Sequence, residues 1–308
     1  MYTKFILSLP PYWRSTVLLV ASTMLITAMH AGIRQVTSEL QPGMHPFEVA
    51  FFRNLFGLVF ILPLIIRRRA NVFTTARPFL QALRGVLNTI SMLMFFYGIS
   101  VSPLATVSAL SFTSPLFAAL AAFVVLREKV TFARIAALVI GFGGMLVVVQ
   151  PTTVGFDLGT LALLFSSLLW ALVLIDIKIL ARTDSSFTIV VYQLAYLAPL
   201  TLIAALFHWQ WPNLEQIIWL TAIGVLATSG QMLLTEAYRY SDASSLVPLD
   251  FFKLIWGALL GYLMFGQIPG LPIWVGGLMI FIGASWVAWE QSARQRQDKA
   301  AAADKASE

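Results

Sequence analysis

This sequence contains no cysteine, and charged residues make up only 11% of its 308 residues. The absence of cysteine excludes disulfide bonds and thiolate metal sites. Its three histidines, His30, His45 and His208, are too far apart along the chain to form a local metal-binding motif. A soluble domain carries about 25% charged residues, so this shortage of charge argues against a soluble protein.

Hydrophobic residues make up 59% of the chain, and the mean hydropathy is +0.83. Apolar runs of about 17 to 25 residues, the length that crosses a bilayer as a helix, recur between turn signals. The sequence therefore predicts an all-α integral membrane protein with ten transmembrane helices. The predicted spans are residues 15–33, 46–66, 79–99, 103–126, 131–149, 157–179, 187–207, 215–238, 243–265 and 272–289.

Basic residues are concentrated in alternate connections between these runs. Arg67, Arg68 and Arg69 lie in one such connection, whereas the connections of the opposite side contain a single basic residue, Arg34. Cytoplasmic loops carry an excess of lysine and arginine, so both termini are predicted to face the cytoplasm, with the protein in the cell's inner (plasma) membrane. The same bias accounts for the net charge of +6, and no nucleic-acid partner is expected. The polar tail 291–308 is predicted to be disordered.

The two halves of the chain resemble each other. Residues 97–150 align with residues 236–289 without a gap. The pairing of residues of the two halves at this constant difference in number is called here the repeat alignment. The basic loop 127–129 then aligns with the uncharged loop 266–268, as expected when equivalent loops lie on opposite sides of a membrane. Inverted five-helix repeats are a common layout of secondary transporters. The predicted repeats are residues 15–150 and 157–290.

The ninth apolar run carries both a carboxylate and an ammonium group. Asp250 and Lys253 are three residues apart and so lie on one face of a helix. Charged side chains at membrane depth cost roughly 2.5 to 3.5 kcal/mol each on insertion scales, so they usually face a cavity or a partner. The pair is predicted either to line a substrate cavity, with Asp250 balancing the substrate or carrying a coupling proton, or to be a structural ion pair.

Two arginines also lie within predicted helices. Arg53 and Arg84 are candidates for binding a substrate anion, although the long side chain of each could instead reach the membrane interface. Uncharged polar residues could complete the pocket or join helices by hydrogen bonds. The candidate substrate-binding or coupling residues are Asp250, Lys253, Arg53, Arg84, Asn88, Ser111, Ser114, Gln193, Gln231 and Glu236. No cofactor and no metal site is predicted.

Several stretches resemble the ten-helix EamA branch of the drug/metabolite transporter superfamily. They are residues 46–53 (PFEVAFFR), 103–110 (PLATVSAL), 114–117 (SPLF) and 141–144 (GFGG). The stretches 83–85 (LRG) and 91–97 (SMLMFFY) are most similar to branches associated with riboflavin or S-adenosylmethionine uptake.

This resemblance implies a secondary active transporter that alternates access across the membrane. The charged and aromatic residues favour a small zwitterionic or anionic organic metabolite, riboflavin-like or S-adenosylmethionine-like. The alternatives are an exporter of amino acids or toxic metabolites and, in another class, a membrane-embedded sensor or structural subunit. An enzyme is not expected, because the sequence has no histidine cluster, nucleophile elbow or HExxH motif. The expected partners are the substrate and the lipid bilayer; the sequence leaves open a coupling proton, a counter-substrate and a homodimer.

Overall fold

The computed structural model describes residues 11–68, 75–126, 132–150, 157–180, 183–184, 186–240, 249 and 251–307. Within these residues, ten apolar helices succeed one another, and the fourth is broken into two segments. They are α1 (Pro11–Arg34), α2 (Pro46–Arg68), α3 (Pro78–Val101), α4a (Leu104–Ser111) with α4b (Thr113–Leu126), α5 (Phe132–Val149), α6 (Leu158–Leu180), α7 (Ser186–Leu206), α8 (Leu214–Tyr240), α9 (Phe252–Phe265) and α10 (Leu271–Ser307).

The helices coincide with the apolar runs of the sequence. Among the described residues, α1, α2, α3, α8 and α10 contain stretches long and apolar enough to cross a membrane, and the apolar stretches of the other five are shorter. A bilayer leaves no water for backbone groups, so each long apolar run satisfies its own N–H and C=O groups as a helix.

The fourth helix is interrupted at Phe112, where the sequence predicted one continuous span. Pro115 has no backbone N–H to donate to the carbonyl of Ser111, so the regular helical bond is missing at this point. The repeat alignment makes Phe251 the equivalent of Phe112. Since α9 begins at Phe252, the break in α4 and the start of α9 fall at equivalent positions of the two repeats.

The helices pack in pairs that repeat across the two halves. The first repeat contributes α1 to α5 and the second α6 to α10. α1 packs along α8, and the equivalent pair, α6 and α3, packs in the same way. α2 packs on its own equivalent α7, and α5 on its own equivalent α10. This arrangement is a pseudo-two-fold relation between the repeats.

The contact between α5 and α10 shows this relation at the level of single residues. A Cβ atom built on Gly144 would lie 2.6 Å from the carbonyl oxygen of Gly276. A Cβ atom built on Gly283 would lie 2.6 Å from the carbonyl oxygen of Ala137. The repeat alignment makes Gly283 the equivalent of Gly144 and Gly276 the equivalent of Ala137. The same close backbone contact therefore occurs twice, and each copy requires glycine.

The two ends of the bundle are named here after Arg34 and Arg77. Odd-numbered helices end at the Arg34 end, and even-numbered helices begin there. At this end, Arg34 donates to the carbonyl oxygen of Ser102, which joins the end of α1 to the connection between α3 and α4a. At the Arg77 end, the connection before α3 meets the connection between α6 and α7.

The last helix extends further than expected. α10 continues to Ser307, through the segment that the sequence predicted to be disordered. Alanine, glutamine, lysine and arginine, which dominate this segment, have high helix propensities. Because the segment prolongs an existing helix, it also avoids the cost of starting a new one.

Candidate functional site

Three basic side chains from three helices approach one another in the interior of the bundle. Arg53 of α2 and Lys253 of α9 are both close enough to His30 of α1 to act on it electrostatically. All three side chains are half-buried, and His30 and Arg53 lie deep among protein atoms. Since α1 and α2 belong to the first repeat and α9 to the second, this central basic cluster lies where the repeats meet.

The position of Arg53 is fixed by a neighbouring amide. Its Nη1 donates to Oδ1 of Asn54 at 2.7 Å. Nδ2 of Asn54 lies 3.4 Å from Oγ1 of Thr201 on α7 and 3.4 Å from Sδ of Met92 on α3. This network joins three helices and turns the guanidinium group of Arg53 inward. The structure thus differs from the alternative in which Arg53 extends to the membrane interface.

Aromatic rings pack close to the central basic cluster. The ring of Phe95 meets His30 edge to face, with centroids 5.1 Å apart. Phe112, at the break in α4, stacks on Phe251 with centroids 6.4 Å apart and planes 24° apart. Phe251 in turn packs against Phe281 of α10 at 4.8 Å. Aromatic faces beside cationic groups suit a planar organic ligand with a polar or anionic edge.

Arg84 belongs to a second polar group, the Arg84 cluster. Its Nη1 donates to the carbonyl oxygen of Ile189 at 3.0 Å, and its Nη2 donates to Oε1 of Gln193 at 2.7 Å. Asp176 of α6 is close enough to Arg84 to interact electrostatically. Arg84 precedes Met92 by eight residues, which places it about 12 Å nearer the Arg77 end of α3. The structure therefore brings two predicted site residues together, but apart from the central basic cluster.

The two predicted serines lie at the break in α4. Ser111 is half-buried, and its hydroxyl donates to the carbonyl oxygen of Ser108 at 2.7 Å, within its own helix. Ser114 is buried in the first turn of α4b. Both are near the Phe112 ring, but the bond of Ser111 satisfies its donor locally.

The other predicted site residues that the structure describes lie on α3 and α8. Asn88 is buried one turn after Arg84 on α3, and Glu236 is half-buried near the end of α8. Gln231, also on α8, is exposed. Asp250 lies outside the described residues, and with it the predicted pairing to Lys253.

The repeats contact each other at the Arg34 end of the bundle. Gln267, which follows α9, accepts a hydrogen bond from the backbone N–H of Leu104 at 3.1 Å. The guanidinium group of Arg34 lies 5.4 Å from the centroid of the Phe265 ring. Arg34 also donates to the carbonyl oxygen of Ser102 at 2.6 Å. These contacts join α1, α4a and α9 above the central basic cluster.

Two histidines far apart in sequence meet at the same end. His45 stacks on His208 with ring centroids 3.8 Å apart, beside a pocket of about 630 Å³. Burial and the neighbouring His208 lower the pKa of His45. Glu48 of α2 accepts hydrogen bonds from the backbone N–H groups of His45 and Gln210. No local pattern could have predicted this pairing, because the two histidines belong to different repeats.

The part of the chain described by the structure contains no group of three or more histidine, cysteine, aspartate or glutamate residues suited to a metal ion. What the central basic cluster offers instead is positive charge, an imidazole and aromatic faces. The sequence predicted Arg53 and Lys253 as substrate-binding residues, whereas His30 and Asn54 were not among the predicted site residues. The signal for His30 was its depth within an apolar run, which is unusual for a polar side chain.

Comparison with known proteins agrees with this architecture. The model of the EamA-like transporter family matches residues 15–150 and 157–289. A solved structure described only as "Crystal structure of protein" has the same fold, with a TM-score of 0.60 and 16% identity, over 91% of this chain and 98% of that chain. The expected fold class, ten transmembrane helices in two inverted EamA repeats, is confirmed.

Several named transporters are similar over most of their length. An S-adenosylmethionine uptake transporter of Rickettsia prowazekii (strain Madrid E) is 29% identical, over 85% of this chain and 89% of the relative. A riboflavin transporter of Vibrio cholerae is 32% identical, over 84% and 89%. A pseudopaline exporter of Pseudomonas aeruginosa is 27% identical, over 87% and 94%. With two family matches that together cover most of its length, the chain is a multi-pass membrane transporter and belongs to the EamA-like transporter family.

Proposed function

We propose that this protein is a secondary carrier of a small zwitterionic or anionic organic metabolite, of the riboflavin-like or S-adenosylmethionine-like class. The observation that carries the proposal is the convergence of Arg53, His30 and Lys253 in the interior, where the repeats meet. Positive charge in a half-buried, protein-enclosed site attracts an anionic group more strongly than it would in open water. The neighbouring aromatic rings provide surface for an apolar or planar part of the substrate.

We assign substrate-binding roles to the charged residues from the geometry of the central basic cluster. Arg53 is held by Asn54 and directs the rest of its guanidinium fork toward the central basic cluster, where it would bind a carboxylate or carbonyl edge. Lys253 would hold a second anionic group, and Asp250 would balance the charge of the bound substrate. The relatives named above support both a flavin-like and an S-adenosylmethionine-like substrate. Of these two, the positive site favours the one without a sulfonium charge.

The orientation predicted from the loops completes this mechanism. With both termini in the cytoplasm, the Arg34 end would lie on the outer side of the inner membrane, where Gln267 and Leu104 join the two repeats. Repeats bounded by residues 15–150 and 157–290 would then rock against each other, opening the central basic cluster first to one side and then to the other. No cofactor is needed for this cycle, and a coupling proton or counter-substrate would drive it.

Export is the second candidate, and the similarity to a named exporter supports it. The same central basic cluster would serve either direction, since the direction of net transport depends on the gradients of substrate and coupling ion. A sensor or structural subunit remains the candidate of another class. It differs in one measurable respect, because it would bind a ligand without moving it.

Transport by the purified protein tests the proposal. Proteoliposomes that contain only this protein should exchange labelled riboflavin or S-adenosylmethionine for the same unlabelled compound, with saturable kinetics. Arg53→Ala should abolish the exchange, whereas Arg77→Ala, the same change at an exposed position, should preserve it. Equal exchange in wild type, Arg53→Ala and protein-free liposomes would exclude these substrates. Binding without any flux would favour a sensor.

A further inference from the structure

Three polar residues form a stripe along one face of α3, running inward from the Arg77 end. Gln81, Arg84 and Asn88, called here the polar stripe, are spaced three and four residues apart and therefore share a face. They are only 1%, 3% and 2% exposed. Asp176 of α6 is 8% exposed and is close enough to Arg84 to interact with it electrostatically. A series of buried polar groups thus lies along α3, which packs on α6 and α7.

The second repeat contains the same face without the polar groups. The repeat alignment places three apolar residues of α8 at the positions of the polar stripe: Leu220, Ile223 and Ala227. These residues are 0%, 0% and 3% exposed, so they are as deeply buried as their counterparts. They belong to the main hydrophobic core.

Contacts on either side of the stripe support this equivalence. A Cβ atom built on Gly85 would lie 2.6 Å from Cβ of Tyr196 on α7. A Cβ atom built on its equivalent, Gly224, would lie 3.3 Å from the backbone nitrogen of Gly57 on α2. Gly57 is the equivalent of Tyr196 in the same alignment. The two helix interfaces therefore share an equivalent close contact, and one of them has apolar residues at the three positions of the polar stripe.

Polar groups at the first interface are incompletely satisfied. Among the described residues, buried atoms without a hydrogen-bond partner include Oε1 of Gln81, Nε of Arg84, Nδ2 of Asn88 and Oδ2 of Asp176. Leaving a buried polar group without a partner costs about 1–3 kcal/mol. Apolar residues fill the equivalent positions of the second repeat, so polar groups at these positions are not a general requirement of the fold, and the unsatisfied atoms oppose folding. Such a cluster inside a membrane protein is best explained by a ligand that it binds.

We propose that Asp176 binds a proton and that the polar stripe connects this site to the Arg77 end. The proton adds to the carboxylate and gives a neutral carboxylic acid. Arg84 is close enough to interact electrostatically with the ionised carboxylate. At the surface, Nε2 of Gln81 donates to Oδ2 of Asp184 at 2.8 Å, so the stripe begins at an accessible carboxylate.

The groups around Asp176 favour a proton over a metal cation. Arg84 is the charged group that faces it from α3. The segments of α4, which also pack on α6, contain no charged residue, and neither does α7, which packs on α3. A sodium ion would need several oxygen ligands, and these would have to come from a cluster that also presents nitrogen donors. A proton needs only the carboxylate that it neutralises.

This inference rests on the proposed carrier function, in which the proton bound at Asp176 is the coupling ion. The site would exchange protons with the Arg77 side, which is the cytoplasmic side in the proposed orientation. Asp176 and the central basic cluster are both joined to α3, through Arg84 and through Met92 and Phe95. A movement of α3 between conformations would therefore affect both the proton and the substrate.

Infrared difference spectroscopy of the protein in liposomes tests proton binding without any substrate. Lowering the pH should produce the C=O stretching band of a protonated carboxyl group in the wild type. Asp176→Asn should lose this band, whereas Asp157→Asn, the same change near the other end of α6, should keep it. A band unchanged in Asp176→Asn, or one that responds to sodium instead of pH, would overturn the proposal.

A second variant keeps the test decisive if Asp176→Asn does not fold. Arg84→Ile combined with Asp176→Asn removes both charges and installs the residue found at the equivalent position 223. Replacing buried charges with apolar groups is often neutral or stabilising, so this protein should fold and should also lack the band. If neither variant folds, the cluster is structural and the proposal fails.

Transport measurements separate this inference from the proposed function. Asp176→Asn should retain exchange of labelled substrate but lose its accumulation driven by a pH gradient. If the wild type exchanges no substrate, the proposed function fails while the infrared result stands. If exchange occurs and Asp176→Asn still accumulates substrate along the pH gradient, the carrier function stands and the coupling role of Asp176 does not.

Discussion

Phe112 and Phe251 stack on each other across the boundary between the repeats, and they are equivalent residues of the two repeats. A residue that contacts its own equivalent lies next to the pseudo-two-fold axis. The stack therefore marks the axis beside the site where the repeats meet. It also lies where α4 is broken and α9 begins, so it joins equivalent points of the two repeats.

The first prediction concerns this stack. Phe112→Leu and Phe251→Leu should each lower thermal stability, but the double variant should lose less than the sum of the two losses. Aromatic pairs contribute about 0.5–1.5 kcal/mol beyond their burial, and that interaction can be lost only once. Thermal unfolding of the four proteins in detergent measures the difference. Strictly additive losses would mean that the rings do not interact.

The second prediction concerns the guanidinium group of Arg53. Arg53→Lys should weaken substrate binding about tenfold or more, since hydrogen bonds to charged groups contribute about 1.5–3 kcal/mol and lysine lacks the planar fork. Arg53→Ala should weaken binding further while the protein still inserts. Affinities from scintillation proximity assays check this order. Normal binding by Arg53→Ala would assign the residue a purely structural role.

The third prediction concerns Asp250 and Lys253. Asp250→Asn and Lys253→Met should each insert and fold but lose most transport, because each leaves one charge without its counterpart at membrane depth. The double variant separates the alternatives. A structural ion pair replaced by two neutral groups should regain transport, whereas a substrate-binding pair should stay inactive. Uptake into proteoliposomes provides the measurement.

The fourth prediction concerns pH and the Arg77 end. Burial acts to raise the pKa of Asp184, but hydrogen bonds from Thr75, Gln81, Ala76 and Thr183 outweigh it and lower the pKa. The stabilising contribution of Asp184 is therefore fully present above its ordinary pKa and is lost as the pH falls through the lower folded-state value. The melting temperature of Asp184→Asn should consequently fall less than that of the wild type upon acidification through this range. Parallel melting curves at every pH would contradict the assignment.

The fifth prediction concerns topology. Reporter domains inserted within residues 210–213 should report the outer side of the membrane, and reporters fused after Arg294 should report the cytoplasm. An alkaline phosphatase and green fluorescent protein pair gives opposite signals for the two sides. The reverse pattern would place the Arg34 end in the cytoplasm and would exchange the two sides in the proposed mechanism.

The sequence predicted the helices well because each apolar run is a local signal. Ten runs of membrane-spanning length became ten helices among the described residues, although the break in the fourth one was not predicted. The repeat could also be inferred, since the gapless alignment of the two halves and the opposite loop charges are both visible along the chain. In the tail, where composition predicted disorder, polar and alanine-rich residues continue α10 to Ser307.

The candidate site was less predictable because its contacts connect distant parts of the chain. Arg84 lies within a predicted span, but nothing local reveals that its partners are Ile189 and Gln193. His45 and His208 follow helices of different repeats, yet they stack. In such cases the sequence identifies which side chains are costly to bury, and only the packing of the helices decides which of them meet.

The glycine contacts between α5 and α10 have a mechanical consequence. Their backbones touch at two equivalent points, and a displacement along either helix would drive neighbouring side chains into the opposite backbone. Sliding is thus blocked, and rotation about this pair is the movement that the contact permits. The pair would act as a pivot, so atoms near it would hardly move between conformations, while helices on the far side of the bundle would travel the greatest distance.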